Sequence, residues 1–190
     1  LFYGAGSLWD DPLRVFRLWE GGMAFHGGFL GVVIAMWLFS RHQKIEFGAL
    51  VDFIAPLAPV GLALGRIGNF INQELWGRPA DVPWAMVFPA DPLGLARHPS
   101  QLYQFAMEGV LLFFVLLWYT RTPRPRWSAA GLFLLGYGLF RSLAEFFRAP
   151  DAHIGFDALG WMTRGQLLSL PMIAVGAAII IWAYRRDAKK

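Results

Sequence analysis

The sequence predicts an all-α fold, that of a polytopic integral membrane protein with about five complete transmembrane helices. Hydrophobic residues fill 56% of the 190 positions and charged residues only 16%. The apolar residues gather into several runs of the length a bilayer requires, about 20 residues each. Between those runs the chain turns polar and rich in Pro, Gly and Arg. A soluble fold would have to bury helices that are apolar all round, and a chain this short can hardly surround them with polar ones. The absence of cysteine excludes disulfides, a thiolate metal site and a cysteine nucleophile, so any thiol must arrive with a substrate. The net charge of +4 does not call for nucleic acid, because in a membrane protein the position of basic residues relative to the spans decides their use.

Residues 1–9 are apolar and read as the tail of a span that starts upstream. The chain opens on Leu1 rather than Met, and no basic segment with a short apolar core precedes the first span. No signal peptide is therefore predicted, and an N-terminally truncated chain is. Asp10, Asp11, Arg14, Arg17 and Glu20, set among Leu13, Phe16, Leu18 and Trp19, make residues 10–22 an interfacial segment. The first complete span covers residues 23–40 and stops at Arg41-His42-Gln43-Lys44. The second covers about 49–71, uncharged over 53–64, with kinks predicted at Pro56 and Pro59. Residues 72–100 form a long connection marked by Arg78-Pro79, Val82-Pro83 and Ala90-Asp91-Pro92, an exposed functional loop or cap. The third span is 101–120, the fourth about 129–147 and the fifth 166–184, with a second polar loop at 149–165. No internal repeat interrupts this order, and 1–190 reads as a single transmembrane domain.

Threading five spans puts Arg41, Lys44, Arg121, Arg124, Arg126, Arg185, Arg186, Lys189 and Lys190 on one side. That side is cytoplasmic by the positive-inside rule, and so is the C-terminus. Trp37, Trp118, Trp127 and Trp182 fall near the inner ends of spans, and Trp76, Trp84 and Trp161 in outer loops, as interfacial rings should. Arg66, Arg97, Arg141, Arg148 and Arg164 fall on or near the outer side against the bias, which predicts a use for them.

The membrane-embedded polar residues His26, Arg66, Asn69, Arg141 and Glu145 share one depth, near the outer leaflet. Tyr137, Arg141, Glu145 and Arg148 are spaced four, four and three apart and occupy one helical face. Arg141 and Glu145 either neutralise each other or hold an external anion between them. Glu74 lies eight residues from Arg66 and beyond a predicted helix end, so Arg66 is expected to meet an external anion, with the Asn69 amide beside it. Gly27, Gly28 and Gly31 suit close helix packing, whereas His26 can act as base, acid or donor. Ser100 is expected as the N-cap of the third span, and Asp52 and Glu108 as structural hydrogen-bond partners. No ligand spacing suggests a metal, and no Gly-rich loop suggests a nucleotide. Arginine forks match phosphate oxygens, and a phosphate at this depth is best delivered by a lipid whose tails lie in the bilayer.

The thirteen residues Gly65-Arg66-Ile67-Gly68-Asn69-Phe70-Ile71-Asn72-Gln73-Glu74-Leu75-Trp76-Gly77 resemble the signature of the bacterial phosphatidylglycerol–prolipoprotein diacylglyceryl transferases. Phe25-His26-Gly27-Gly28, Arg97-His98-Pro99-Ser100-Gln101-Leu102-Tyr103 and the segment from Tyr137 through Arg148 resemble the same family in the same order, so the likeness covers essentially the whole chain. Members carry further N-terminal membrane sequence, which implies about seven crossings in a full-length parent. The resemblance implies transfer of diacylglyceryl from phosphatidylglycerol to the lipobox cysteine of a prolipoprotein signal peptide, with release of glycerol phosphate. It implies the bacterial inner membrane, an active site facing the outer leaflet, and partners that are the lipid, the prolipoprotein and the bilayer, not nucleic acid. Arg66 and Arg141 would clamp the phosphate. His26, or alternatively Tyr137, would take the thiol proton, and Asn69, Glu74, Gly77 and Glu145 would shape the head-group pocket or hold the arginines. Neither cofactor nor metal is implied, because the donor lipid carries its own phosphoester leaving group. An anion transporter would need a polar path that the inner halves of the first, third and fifth spans lack. A non-catalytic phospholipid-binding subunit would need the arginines but not His26.

Overall fold

In a computed structural model, residues 25–149 and 163–189 are described, with the backbone alone at 25–27 and 164. The chain divides into two units, Leu1–Leu50 and Val51–Lys190.

The first unit contains α1 (Phe25–His42), which runs to His42, two residues past the predicted end. Lys44, at φ 55°, turns the chain into the left-handed region. The Ile45 N–H then bonds the Ser40 carbonyl at 2.9 Å and the Lys44 N–H bonds that of Arg41 at 3.3 Å, the paired bonds of a Schellman stop.

In the second unit the kink predicted in the second span is a break. Helix α2 (Phe47–Ile54), which starts before the unit boundary, and α3 (Ala58–Ile71) are bent by 42° around Ala55-Pro56-Leu57. Pro56 has no N–H to continue the ladder, and Pro59 sits in the first turn of α3, where none is required. The third predicted span is continuous from Ser100 to Tyr119, built from α4 (Ser100–Gln104), a π-helical segment (Phe105–Leu111) and α5 (Leu112–Tyr119). The π segment lies hard against α3: a Cβ on Gly109 would stand 2.6 Å from the Ala63 Cβ.

Helix α6 (Ser128–Glu145) starts behind Trp127, whose φ is 74° and whose side chain caps nothing. Asp52 of α2 supplies the cap instead, accepting the Trp127 and Ala130 N–H groups at 2.5 and 2.9 Å, a carboxylate at a helix N-terminus. That is the structural role expected for Asp52. Helix α7 (Arg164–Asp187) opens on a capping box between Thr163 and Gln166. Helices α6 and α7 meet through glycines, and a Cβ on Gly176 would lie 2.5 Å from the Leu135 nitrogen and 2.8 Å from the Gly131 carbonyl oxygen. Gly176→Ala should therefore destabilise the full-length protein by about 1–3 kcal/mol, read as a lower unfolding midpoint in detergent. An unchanged midpoint would mean that the two helices can part without loss.

The loop after α3 is folded. Strands β1 (Met86–Val87) and β2 (Ala96–Arg97) pair antiparallel, with Met86 opposite Arg97 and Val87 opposite Ala96. The loop is joined to the end of α6 by a Gly77–Arg148 bridge and by the Arg78 N–H on the Phe147 carbonyl at 2.9 Å.

The second unit buries several polar side chains beside a small apolar core and exposes many large apolar ones. Ser100, Gln101, Gln104, Glu108, Ser128 and Glu145 are buried, while Phe53, Leu64, Phe114, Trp118 and Leu168 are exposed. Hydrocarbon, not water, suits that exterior. Among the described residues, Ser100–Tyr119 and Gly165–Asp187 are long and apolar enough to cross a membrane, and the bent α2–α3 pair makes a third candidate. Arg141, Glu145 and its glycines hold α6 below that composition.

Candidate active site

Arg66 on α3 and Arg141 on α6 meet at one carboxylate, that of Glu108 on the π segment. Arg66 Nη2 is 3.1 Å from Glu108 Oε2, and Arg141 Nη1 is 3.7 Å from Glu108 Oε1. Glu108 is wholly inaccessible, so the two guanidiniums are held by a carboxylate that has left water. The bond to Arg66 is a hydrogen bond, but the second contact is only an ion pair. Arg141 Nη1 and Glu108 Oε1 are both buried without a hydrogen-bond partner.

The other face of Arg141 is held by Glu145, four residues on, with Nη2 to Oε1 at 2.5 Å. Glu145 also takes Arg148 Nη1 at 3.1 Å and the Thr163 hydroxyl at 2.8 Å. The start of α7 closes over it, since a Cβ on Gly165 would stand 2.5 Å from the Glu145 Cδ. This gives a negative group at a helix N-terminus, where the backbone dipole favours it. The neutralising pair expected of Arg141 and Glu145 is present, as part of a larger network. Tyr137, one turn before Arg141, faces the same cluster with Arg66, Glu108 and Arg141 as electrostatic neighbours, its ring stacked on Phe133 at 6.0 Å.

The remaining expected residues lie differently. His26 falls in the first turn of α1, and its side chain is outside the described residues. Asn69 is three residues on from Arg66, and its carbonyl accepts the Glu74 N–H at 2.9 Å. The Glu74 carboxylate points to the exposed side and accepts the Asn72 amide at 2.9 Å, so the carboxylate that holds Arg66 is Glu108 and not Glu74. Gly77 is where two backbones cross: a Cβ there would collide with the His98 carbonyl oxygen and lie 2.6 Å from that of Phe147, and its own N–H is already bonded to His98. Its place is in packing the loop, since a side chain does not fit. Ser100 is the first residue of α4 rather than its N-cap, and its hydroxyl donates to the Leu75 carbonyl at 2.8 Å.

Arg97, one of the arginines that run against the charge bias, serves the loop. It makes a two-pronged bond to Asp91, Nε to Oδ2 at 2.7 Å and Nη2 to Oδ1 at 3.1 Å, and lies over the Trp76 ring at 5.9 Å. This bond, added to by the Leu93 and Leu95 N–H groups, holds the Asp91 carboxyl below its ordinary value of 3.8. A carboxyl with a depressed value in the folded loop stabilises it above the unfolded value, and that contribution is lost as pH falls from about 4 through the lower folded value. In the wild type the loop should therefore resist proteolysis down to about pH 4 and yield below it. Asp91→Asn should be cleaved several-fold faster at pH 7, and equal cleavage of the two would remove the pair from the account of the loop.

A family model described as prolipoprotein diacylglyceryl transferase matches residues 1–182. The chain belongs to that family. It is 62% identical over 187 residues to the phosphatidylglycerol–prolipoprotein diacylglyceryl transferase of Teredinibacter turnerae, covering 98% of this chain and 65% of that protein. It is 57% identical over 189 residues to the transferase of the same name from Azotobacter vinelandii, covering 100% and 71%, and 59% identical over 189 residues to that of Pseudomonas syringae pv. syringae, covering 98% and 70%. The chain thus spans about two thirds of the length of these relatives.

Within this diacylglyceryl transferase family member, Glu108 was expected only as a structural partner, and Thr163 and Gly165 were not singled out at all. Gln101, Gln104 and Glu108 repeat at three and four residues along an otherwise apolar span, and that spacing puts one polar stripe on one face. All three are buried, and the Gln101 amide nitrogen donates to the Glu74 carbonyl at 2.7 Å. The stripe was the available signal.

Proposed function

We propose that this chain is the catalytic part of an enzyme that moves the diacylglyceryl group of phosphatidylglycerol onto the lipobox cysteine thiol of a prolipoprotein, the first step of bacterial lipoprotein maturation. The observation that carries the reading is the pair of guanidiniums on separate helices, gathered at one buried carboxylate and leaving Arg141 Nη1 without a hydrogen bond. A phosphate oxygen is the ligand that such a fork fits. The family's relatives are named for that donor and that acceptor.

The sulfur attacks the glycerol carbon that bears the phosphate. The S–C bond forms, the C–O bond breaks, and glycerol phosphate leaves with the electron pair. Arg66 and Arg141 hold the phosphate and stabilise the charge growing on the leaving oxygen, a contribution of about 3 kcal/mol per well-placed donor. Glu145, fixed by Arg148 and Thr163, holds Arg141 from behind. Asn69 faces the head group as an amide donor, and Glu74 and Gly77 shape the head-group pocket through the fold of the loop. His26 or Tyr137 takes the thiol proton, since the thiolate is the nucleophile. The donor lipid supplies its own leaving group, and no cofactor enters the reaction.

The same reading sets residues 1–190 as a single domain in the bacterial inner membrane. Five spans in this chain put the arginine cluster toward the outer leaflet, the folded loop at 72–100 outside as a cap and the C-terminus in the cytoplasm. The placement of Lys44, Lys189 and Lys190 supports that orientation. The test is to mix the full-length protein with phosphatidylglycerol labelled in its acyl chains and a lipobox peptide. Label should pass to the cysteine peptide and not to its serine counterpart. Lipid that binds without any transfer would overturn the enzyme in favour of a phospholipid-binding subunit.

A further inference from the structure

We infer that Glu108 is a positioning residue of the transfer reaction, a buried spacer that fixes the distance and angle between the Arg66 and Arg141 guanidiniums; the inference rests on the phosphate clamp proposed above. Arg66 and Arg141 lie on different helices, so nothing in their own backbones fixes one guanidinium against the other. Glu108 is in ion-pair contact with both, one carboxylate oxygen toward each, and is wholly inaccessible.

The site is built for that role in three further respects. The residue is carried by a π-helical segment, Phe105–Leu111, inside an otherwise α-helical span, and such insertions recur where a side chain must be aimed. Gly109, next in the chain, lets the π segment approach α3 until a Cβ would overlap Ala63, three residues before Arg66. The shape of α3 and of the π segment therefore sets the reach between Glu108 and Arg66. Finally, the two contacts are unequal. The Arg66 contact is a formed hydrogen bond at 3.1 Å, whereas the Arg141 contact at 3.7 Å leaves a donor and an acceptor unused in a buried place. A buried donor without a partner is costly, and an incoming phosphate oxygen satisfies Arg141 Nη1 without breaking any bond that exists beforehand. Glu108 thus orders the clamp in advance and leaves one prong without a hydrogen bond.

The charges distinguish spacing from simple attraction. Removing the Glu108 charge leaves both guanidiniums free to attract an anion, so affinity for the lipid should survive. What should be lost is the alignment on which the chemical step depends, and a misplacement of about 1 Å can cost about a hundredfold in rate. The experiment uses the full-length protein in phosphatidylglycerol-containing detergent micelles with a lipobox peptide, comparing wild type, Glu108→Gln and Glu108→Asp at equal amounts of folded protein. Wild-type transfer establishes the reaction itself, and its absence overturns the proposed function separately from this inference. Given that activity, Glu108→Gln should lower kcat at least about tenfold with KM for the lipid changed less than about twofold. Glu108→Asp, which keeps the charge but is one methylene too short to reach both arginines, should remain impaired. Normal kcat in the folded fraction of Glu108→Gln, a rise in KM alone, or full recovery in Glu108→Asp would each overturn the positioning role.

Discussion

Arg66→Lys should lower the rate of diacylglyceryl transfer by at least about a hundredfold while leaving the protein folded. The positive charge survives the change, so a purely Coulombic role predicts little loss. The geometry predicts otherwise. In the wild type one nitrogen of the fork, Nη2, is committed to Glu108 at 3.1 Å, and the planar group has other donors fixed relative to it. A lysine ammonium on the same stem is a compact point charge, and once it is drawn onto Glu108 it has no rigid second edge to offer a phosphate. The loss should fall on kcat more than on KM, because the charge growing on the leaving oxygen is met only in the transition state. Label transfer from phosphatidylglycerol to the lipobox peptide measures it, and near-normal turnover would remove Arg66 from the clamp.

The arrangement behind that expectation was only half visible in the sequence. The apolar runs located the helices, because hydrocarbon-length stretches leave few alternatives, and Pro56 with Pro59 marked the break that became a 42° bend. Arg66, Arg141 and Glu145 stood out as charges in apolar surroundings. The pairing of Arg141 with Glu145 could be read from their four-residue spacing, since one helix brings them together. The partner of Arg66 could not, because Glu108 is 42 residues away and only the packing of α3 on the π segment joins them. The same limit explains Gly77 and Ser100. Ser100 was read by local chemistry as a helix cap and Gly77 through the family likeness, and neither reading could show the distant backbone that engages them, His98 and Phe147 at Gly77 and Leu75 at Ser100. Of the arginines that run against the charge bias, Arg66, Arg97, Arg141 and Arg148 are all ion-paired. Arg97 secures Asp91 in the loop and Arg148 secures Glu145, so part of this positive charge supports the site's frame.

His26→Gln should abolish transfer to within the background of the assay, a loss of at least about a thousandfold, while Tyr137→Phe should cost about tenfold or less. Both residues were candidates for the thiol proton, and ordinary chemistry separates them. A neutral imidazole has a free ring nitrogen at neutral pH, whereas a phenol, with a reference value of about 10, is protonated there and serves better as a donor. Tyr137 also faces two guanidiniums and the Glu108 carboxylate, a setting in which its hydroxyl can help orient the phosphate. The pH profile supplies the readout that a positioning role would not move. If a histidine is the base, kcat/KM for the peptide falls on the acid side as the imidazole protonates. Tyr137→Phe, which stays measurable, should keep that limb. Glutamine preserves the size of the side chain and one hydrogen-bond donor, so a loss of only several-fold would make His26 an orienting group. A pH limb that disappears in Tyr137→Phe instead would hand the proton to the tyrosine.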